Sequence, residues 1–165
     1  DVTDGTKWLI EQGIADRNNI CIGGISYGGY AAAMGLIMEP GLYQCGISIN
    51  GALDLISLDE IDNRFKSPMM KEWHKHVGLR GGELEDVSPR HQVERLSAPI
   101  LAISSYDDFR LPWEQTEDFH KDAVKAGKGS TFVRLEDGGH SMVTKQSRLK
   151  AMQEIETFLA RHLRK

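Results

Sequence analysis

Residues 20–30, Ile20-Cys21-Ile22-Gly23-Gly24-Ile25-Ser26-Tyr27-Gly28-Gly29-Tyr30, constrain this chain more than any other stretch. A short apolar run meets a serine with glycine two positions before it and two after. Small residues follow, Ala31-Ala32-Ala33-Met34. The pattern reads as a strand, a sharp turn at Ser26 and a helix. A serine at such a turn is strained, and its hydroxyl is pushed clear of the sheet. Gly24 and Gly28 are expected because a β-carbon at either position would meet neighbouring backbone, and Gly29 because the helix must pack closely on the strand. The first amides of that helix aim at the hydroxyl, where negative charge would be stabilised. A phosphate-binding reading fits poorly: no Lys-Ser/Thr pair follows, and the glycines miss the G-x-G-x-x-G spacing.

The rest of the chain supports a single unit over residues 1–165. Residues 1–13 read as a helix, with Val2, Trp8, Leu9 and Ile10 on its apolar side and Gly13 at its end. A strand over 20–24 precedes the turn, and a helix over about 27–38 stops at Glu39-Pro40-Gly41. Cys45–Ile49 is a second strand, so strand, helix and strand form a parallel unit. Residues 51–97 are less regular: a helix is expected over about 67–76, a loop over 78–82 and a short helix from Ser88-Pro89 to Leu96. A third strand spans 99–104 and is nearly all apolar through Ile100, Leu101, Ala102 and Ile103, as a strand buried on both faces should be. Pro112 opens a helix that runs to about Ala126, with Trp113, Phe119 and Ala123 inward. A fourth strand covers 131–135. The last helix spans about 144–164, with Leu149, Met152, Ile155, Phe158 and Leu159 as its expected buried stripe.

Charge and composition remove several function classes. A net charge of −4 offers no polybasic surface for nucleic acid or anionic lipid, and no apolar run reaches the length of a membrane span. The two cysteines, Cys21 and Cys45, lie in apolar runs and are read as buried free thiols.

A serine nucleophile needs a base to take its proton and a carboxylate to hold the base's tautomer. Both belong in loops past the C-terminal ends of strands. His140, in Leu135-Glu136-Asp137-Gly138-Gly139-His140, follows the fourth strand on a glycine loop. His74, His76 and His91 precede the third strand, and His120 and His162 lie in helices; these five are read as surface residues. His74-Lys75-His76 is too sparse for a metal site, and neither a metal nor an organic cofactor is expected. The acid belongs in Ser104-Ser105-Tyr106-Asp107-Asp108-Phe109-Arg110-Leu111-Pro112, where spacing leaves Asp107 and Asp108 both open.

Gly24-Ile25-Ser26-Tyr27-Gly28-Gly29-Tyr30, Asp108-Phe109-Arg110-Leu111-Pro112 and the glycine loop before His140 together resemble the catalytic domain of the prolyl oligopeptidase family of serine peptidases. Ser88-Pro89 and Ala98-Pro99-Ile100-Leu101 also match the run-up to that family's third strand here. Ser104-Ser105 replaces the family's His-Gly, and Leu111 replaces its Val. The resemblance implies the C-terminal portion of an α/β-hydrolase fold, a mostly parallel sheet of about four strands flanked by helices. It makes Asp108 the acid and leaves Asp107 as a solvated loop charge. It implies a peptidase acting through an acyl-enzyme, with Ser26 as nucleophile, His140 as base and the Tyr27 amide as an oxyanion donor. Arg110 matches an arginine that grips a substrate carbonyl, and Trp73 is a candidate for the substrate pocket.

The family carries about eight strands and usually a β-propeller before them, so this sequence is expected to be part of such a domain, with the second oxyanion donor elsewhere. The strand of Ile20-Cys21-Ile22 is then an open edge, and association of two copies through it is expected. Two other readings stay open: an esterase using the same triad, and a catalytically silent association module.

Overall fold

The computed structural model describes residues 1–58 and 81–164. The elements run α1 (Val2–Glu11), β1 (Cys21–Ile25), α2 (Tyr27–Met38), β2 (Cys45–Ile49), two 3-10 segments (Gly81–Val87 and Pro89–Arg95), β3 (Ile100–Ser105), α3 (Trp113–Lys125), β4 (Ser130–Leu135) and α4 (Lys145–His162). The four strands lie side by side in chain order. Every pairing is parallel, with Cys21 opposite Cys45, Ile49 opposite Ile103 and Ser105 opposite Leu135. All strand C-termini therefore open on one rim. The helix expected over 67–76 lies outside the described residues, as does most of the expected loop over 78–82.

Residue alternation divides the core between the two faces of the sheet. Ile100 and Ala102 face α2 and α3, meeting Leu36, Ile37, Leu53, Phe119 and Ala123. Leu101 and Ile103 face α4, meeting Ile47, Leu135, Ala151 and Phe158. β2 and β3 are buried along their whole length, which explains why they are mostly apolar, with the small serines Ser48, Ser104 and Ser105 as their buried polar residues. β1 and β4 are the edges and remain partly open.

Four expectations about packing are corrected. Cys21 and Cys45 are not free thiols: they form a disulfide with a Cα–Cα distance of 4.6 Å. The cause is register, since parallel pairing places the two residues directly opposite each other. The expected stripe of α4 holds at Ile155, Phe158 and Leu159, which join the core, and fails in the first half of the helix. Ser147, Ala151 and Phe158 are buried, whereas Leu149 and Met152 are 54% and 63% exposed. Ser147 is held inward by the hydrogen bond of its hydroxyl to the Asp137 carbonyl, and Ala151 joins the cluster with Leu101 and Ile103, contacts that helical spacing alone does not carry. The apolar side of α1 is likewise mostly open: none of its residues is buried, and Ile10 alone packs against the core. His120 and His162 are packed rather than superficial, stacked on Phe132 and against Phe158. Burial lowers both histidines below the ordinary imidazole value.

Candidate active site

Ser26 follows β1 immediately, with φ 59° and ψ −122°. Its N–H donates to the Ile49 carbonyl at 2.9 Å, which pins the turn to the end of β2. Its own carbonyl accepts from Gly29 and Tyr30 and so starts α2. Two of the three glycines have the expected steric cause. A β-carbon on Gly24 would stand 2.5 Å from the Gly28 oxygen and 2.7 Å from its Cα, and one on Gly29 would stand 2.7 Å from the Ser48 hydroxyl. Gly28 departs from expectation, since a β-carbon there meets nothing within 4 Å among the described residues. The close approach belongs to Gly24 reaching over the backbone of Gly28, not to the reverse.

The acid loop leaves β3 at Tyr106, whose N–H donates to the Leu135 carbonyl at 2.8 Å. Asp108 then turns back inward. Its Oδ1 accepts the amides of Arg110 and Leu111 at 2.9 and 3.1 Å, and its Oδ2 lies 2.7 Å from His140 Nδ1. A carboxylate fixed by two backbone donors is a rigid partner for an imidazole. The other ring nitrogen of His140, Nε2, lies 3.0 Å from Ser26 Oγ. Ser26, His140 and Asp108, 114 and 32 residues apart along the chain, thus touch in a row.

The loop carrying His140 is unusual backbone. Gly138 and Gly139 have φ of 105° and 57°, and Met142 has φ 47°. Asp137 anchors its start by accepting from the Thr144 hydroxyl at 2.8 Å and from the Ser147 hydroxyl. Those hydrogen bonds, Ser147's first and Thr144's second, hold the Asp137 carboxyl below its ordinary value. Asp107 is not the solvated charge expected of it: its Oδ1 accepts the Gly139 N–H at 2.7 Å. The loops after β3 and β4 are laced together there, a contact that loop sequence alone does not reveal.

The remaining candidates divide. The Tyr27 N–H, at the first position of α2, has no acceptor among the described residues. The Tyr27 ring is exposed and tilts against Tyr30, whose phenol is raised above its ordinary value by burial and, less, by Tyr27. Arg110 is exposed at the rim, with no acidic partner among the described residues. Trp73, His74 and His76 lie outside the described residues. Two residues not singled out in the sequence frame the site. Gln115 of α3 accepts the Leu53 and Asp54 amides at 2.8 and 3.0 Å and donates to the Gly51 carbonyl at 2.7 Å, fixing the segment that leaves β2. Asn50, fully buried with φ 44°, donates to the His140 carbonyl at 2.9 Å. The one available signal for Asn50 was a polar residue ending an apolar strand.

Among the described residues no helix is long and apolar enough to cross a membrane, and no group of three or more His, Cys, Asp or Glu could hold a metal ion.

Known proteins share this arrangement of elements. The model of the prolyl oligopeptidase family matches residues 1–165. Dipeptidyl peptidase family member 6 of Caenorhabditis elegans is 28% identical over 165 residues, covering 96% of this chain and 22% of that protein. Dipeptidyl aminopeptidase BIII of Pseudoxanthomonas mexicana is 26% identical over 168 residues, covering 99% and 24%. The uncomplexed acylaminoacyl peptidase of Pyrococcus horikoshii superposes with a TM-score of 0.81 at 27% identity, over 96% of this chain and 26% of that one. The chain thus spans about a quarter of the length of each of these three proteins.

Proposed function

The chain belongs to the prolyl oligopeptidase family, and we propose that Ser26, His140 and Asp108 are the nucleophile, base and acid of a peptide-bond hydrolysis. The contacts of 3.0 Å and 2.7 Å that flank the His140 ring carry this reading. His140 Nε2 takes the Ser26 proton as Oγ bonds to the substrate carbonyl carbon. Asp108 keeps the other ring proton on Nδ1 and stabilises the imidazolium that results. The oxyanion draws on the free Tyr27 N–H at the positive end of α2. Collapse of the tetrahedral intermediate breaks the C–N bond, and the imidazolium proton leaves with the amine. Water then repeats the cycle on the acyl-enzyme and restores the Ser26 hydroxyl.

The substrate is a peptide, in keeping with the peptidases that the chain resembles. Arg110 is suited to donate to a substrate carbonyl from the rim. An esterase reading uses the same atoms and is separated from this one by substrate alone. The deciding experiment treats the chain with a fluorophosphonate and follows intact mass. One adduct that Ser26→Ala abolishes supports the triad; no adduct on folded protein refutes it. Peptide anilides compared with aryl acetates then decide between amide and ester chemistry.

A further inference from the structure

We propose that Asp107 and Asn50 are positioning residues that clasp the backbone carrying His140; this rests on the triad reading above. Gly138 and Gly139 give that loop more backbone freedom than any other residue pair would, so the imidazole needs external constraint. The clasp acts on both sides of the loop. Asp107 Oδ1 takes the Gly139 N–H at 2.7 Å, and Asn50 Nδ2 donates to the His140 carbonyl at 2.9 Å and the Gly139 carbonyl at 3.4 Å.

Each arm is itself fixed. Asp107 adjoins Asp108, so one dipeptide holds both the ring of His140 and the backbone beneath it. Asn50 is fully buried, its N–H donates to the Ile103 carbonyl, and its Oδ1 accepts the Ser105 N–H at 2.8 Å. Its left-handed φ of 44° is a conformation that asparagine tolerates better than most residues. The preceding residue, Ile49, gives its carbonyl to the Ser26 N–H. The Ile49-Asn50 dipeptide therefore sets Ser26 and the His140 loop against the same strand end. A base displaced by about 1 Å loses about a hundredfold in rate, which is the scale of error such a clasp prevents.

The test compares Asp107→Ala with Asp107→Asn in the intact chain. Both remove the charge; Asn retains an oxygen acceptor for the Gly139 N–H. Fluorophosphonate labelling of Ser26, followed across pH, is expected to slow by about ten- to a hundredfold in Asp107→Ala and to recover most of its rate in Asp107→Asn. Equal slowing in both variants would assign the effect to charge and overturn the clasp, as would wild-type rates in Asp107→Ala. Asn50→Asp, which turns a carboxylate toward two carbonyl oxygens, is expected to slow labelling similarly. Wild-type labelling there removes Asn50 from the clasp; if that variant fails to fold, the Asp107 pair still decides. A wild-type chain that takes no adduct refutes the triad reading instead. The clasp is then judged by the low-field His140 Nδ1–H resonance, expected in wild type and Asp107→Asn and broadened in Asp107→Ala. The same spectrum in all three overturns it.

Discussion

Alanine at Gly24 and alanine at Gly28 should have opposite effects, although the two glycines stand symmetrically about Ser26. The β-carbon at position 24 would lie 2.5 Å from the Gly28 oxygen and 2.7 Å from its Cα. Both are backbone atoms, fixed because the Ser26 carbonyl already holds the Gly29 and Tyr30 amides of the same turn. No side chain can rotate away, so β1 and α2 must separate. Overpacking of this kind costs about 1–3 kcal/mol. For a domain of this size each kcal/mol moves the melting temperature by about 2–4 °C, so Gly24→Ala should melt about 2–12 °C lower. At position 28 the β-carbon meets nothing within 4 Å among the described residues, and φ is not positive. Replacing glycine in a helix then removes unfolded-state freedom and adds about 0.5–1 kcal/mol of stability, or about 1–4 °C. Thermal melts followed by circular dichroism measure both variants. Fluorophosphonate labelling, run alongside, should be impaired in Gly24→Ala, because the same separation moves the Ser26 hydroxyl. Equal destabilisation by the two substitutions, or a Gly24→Ala protein that melts like wild type, would refute this steric account of the turn.

Three further outcomes are expected. The Cys21–Cys45 bridge closes a loop with a sequence separation of 24, for which chain entropy gives about 3–4 kcal/mol. Urea unfolding with and without reductant should show that loss, and an unmoved midpoint counts against the bridge. Asp137, with its folded value held below the ordinary carboxyl value, contributes stability that is complete above the unfolded value and disappears as pH falls through the lower folded one. Thr144→Val should therefore shift acid unfolding to higher pH, read by circular dichroism between about pH 2 and 5. The open edge of β1 is proposed to pair two copies of the chain, and Ile22→Lys should weaken that pairing. Sedimentation showing only monomer of the unsubstituted chain at high concentration would remove the idea.

Much of this protein is written in local chemistry. Gly24 meets the backbone of Gly28 within the same turn, and the proline before α3 and the apolar stretches of β2 and β3 leave local patterns that a sequence displays directly. Parallel strands joined by helices also place the three loops on one rim, which makes Ser26, His140 and the Asp107-Asp108 pair candidates, and the family resemblance singles out Asp108. Register, helix rotation and loop-to-loop contact are different in kind. Whether Cys21 faces Cys45 depends on which residue of β1 lies beside which residue of β2. Whether Leu149 or Ala151 of α4 joins the core depends on how the helix is turned about its axis against the elements it packs on. Asp107 and Asn50 show the same limit at the site. Each is an ordinary polar residue until separate stretches of chain meet, and the backbone groups they satisfy are 32 and 90 residues away. Interactions between distant parts of a chain are selected by packing the whole domain at once, so only the folded molecule decides them.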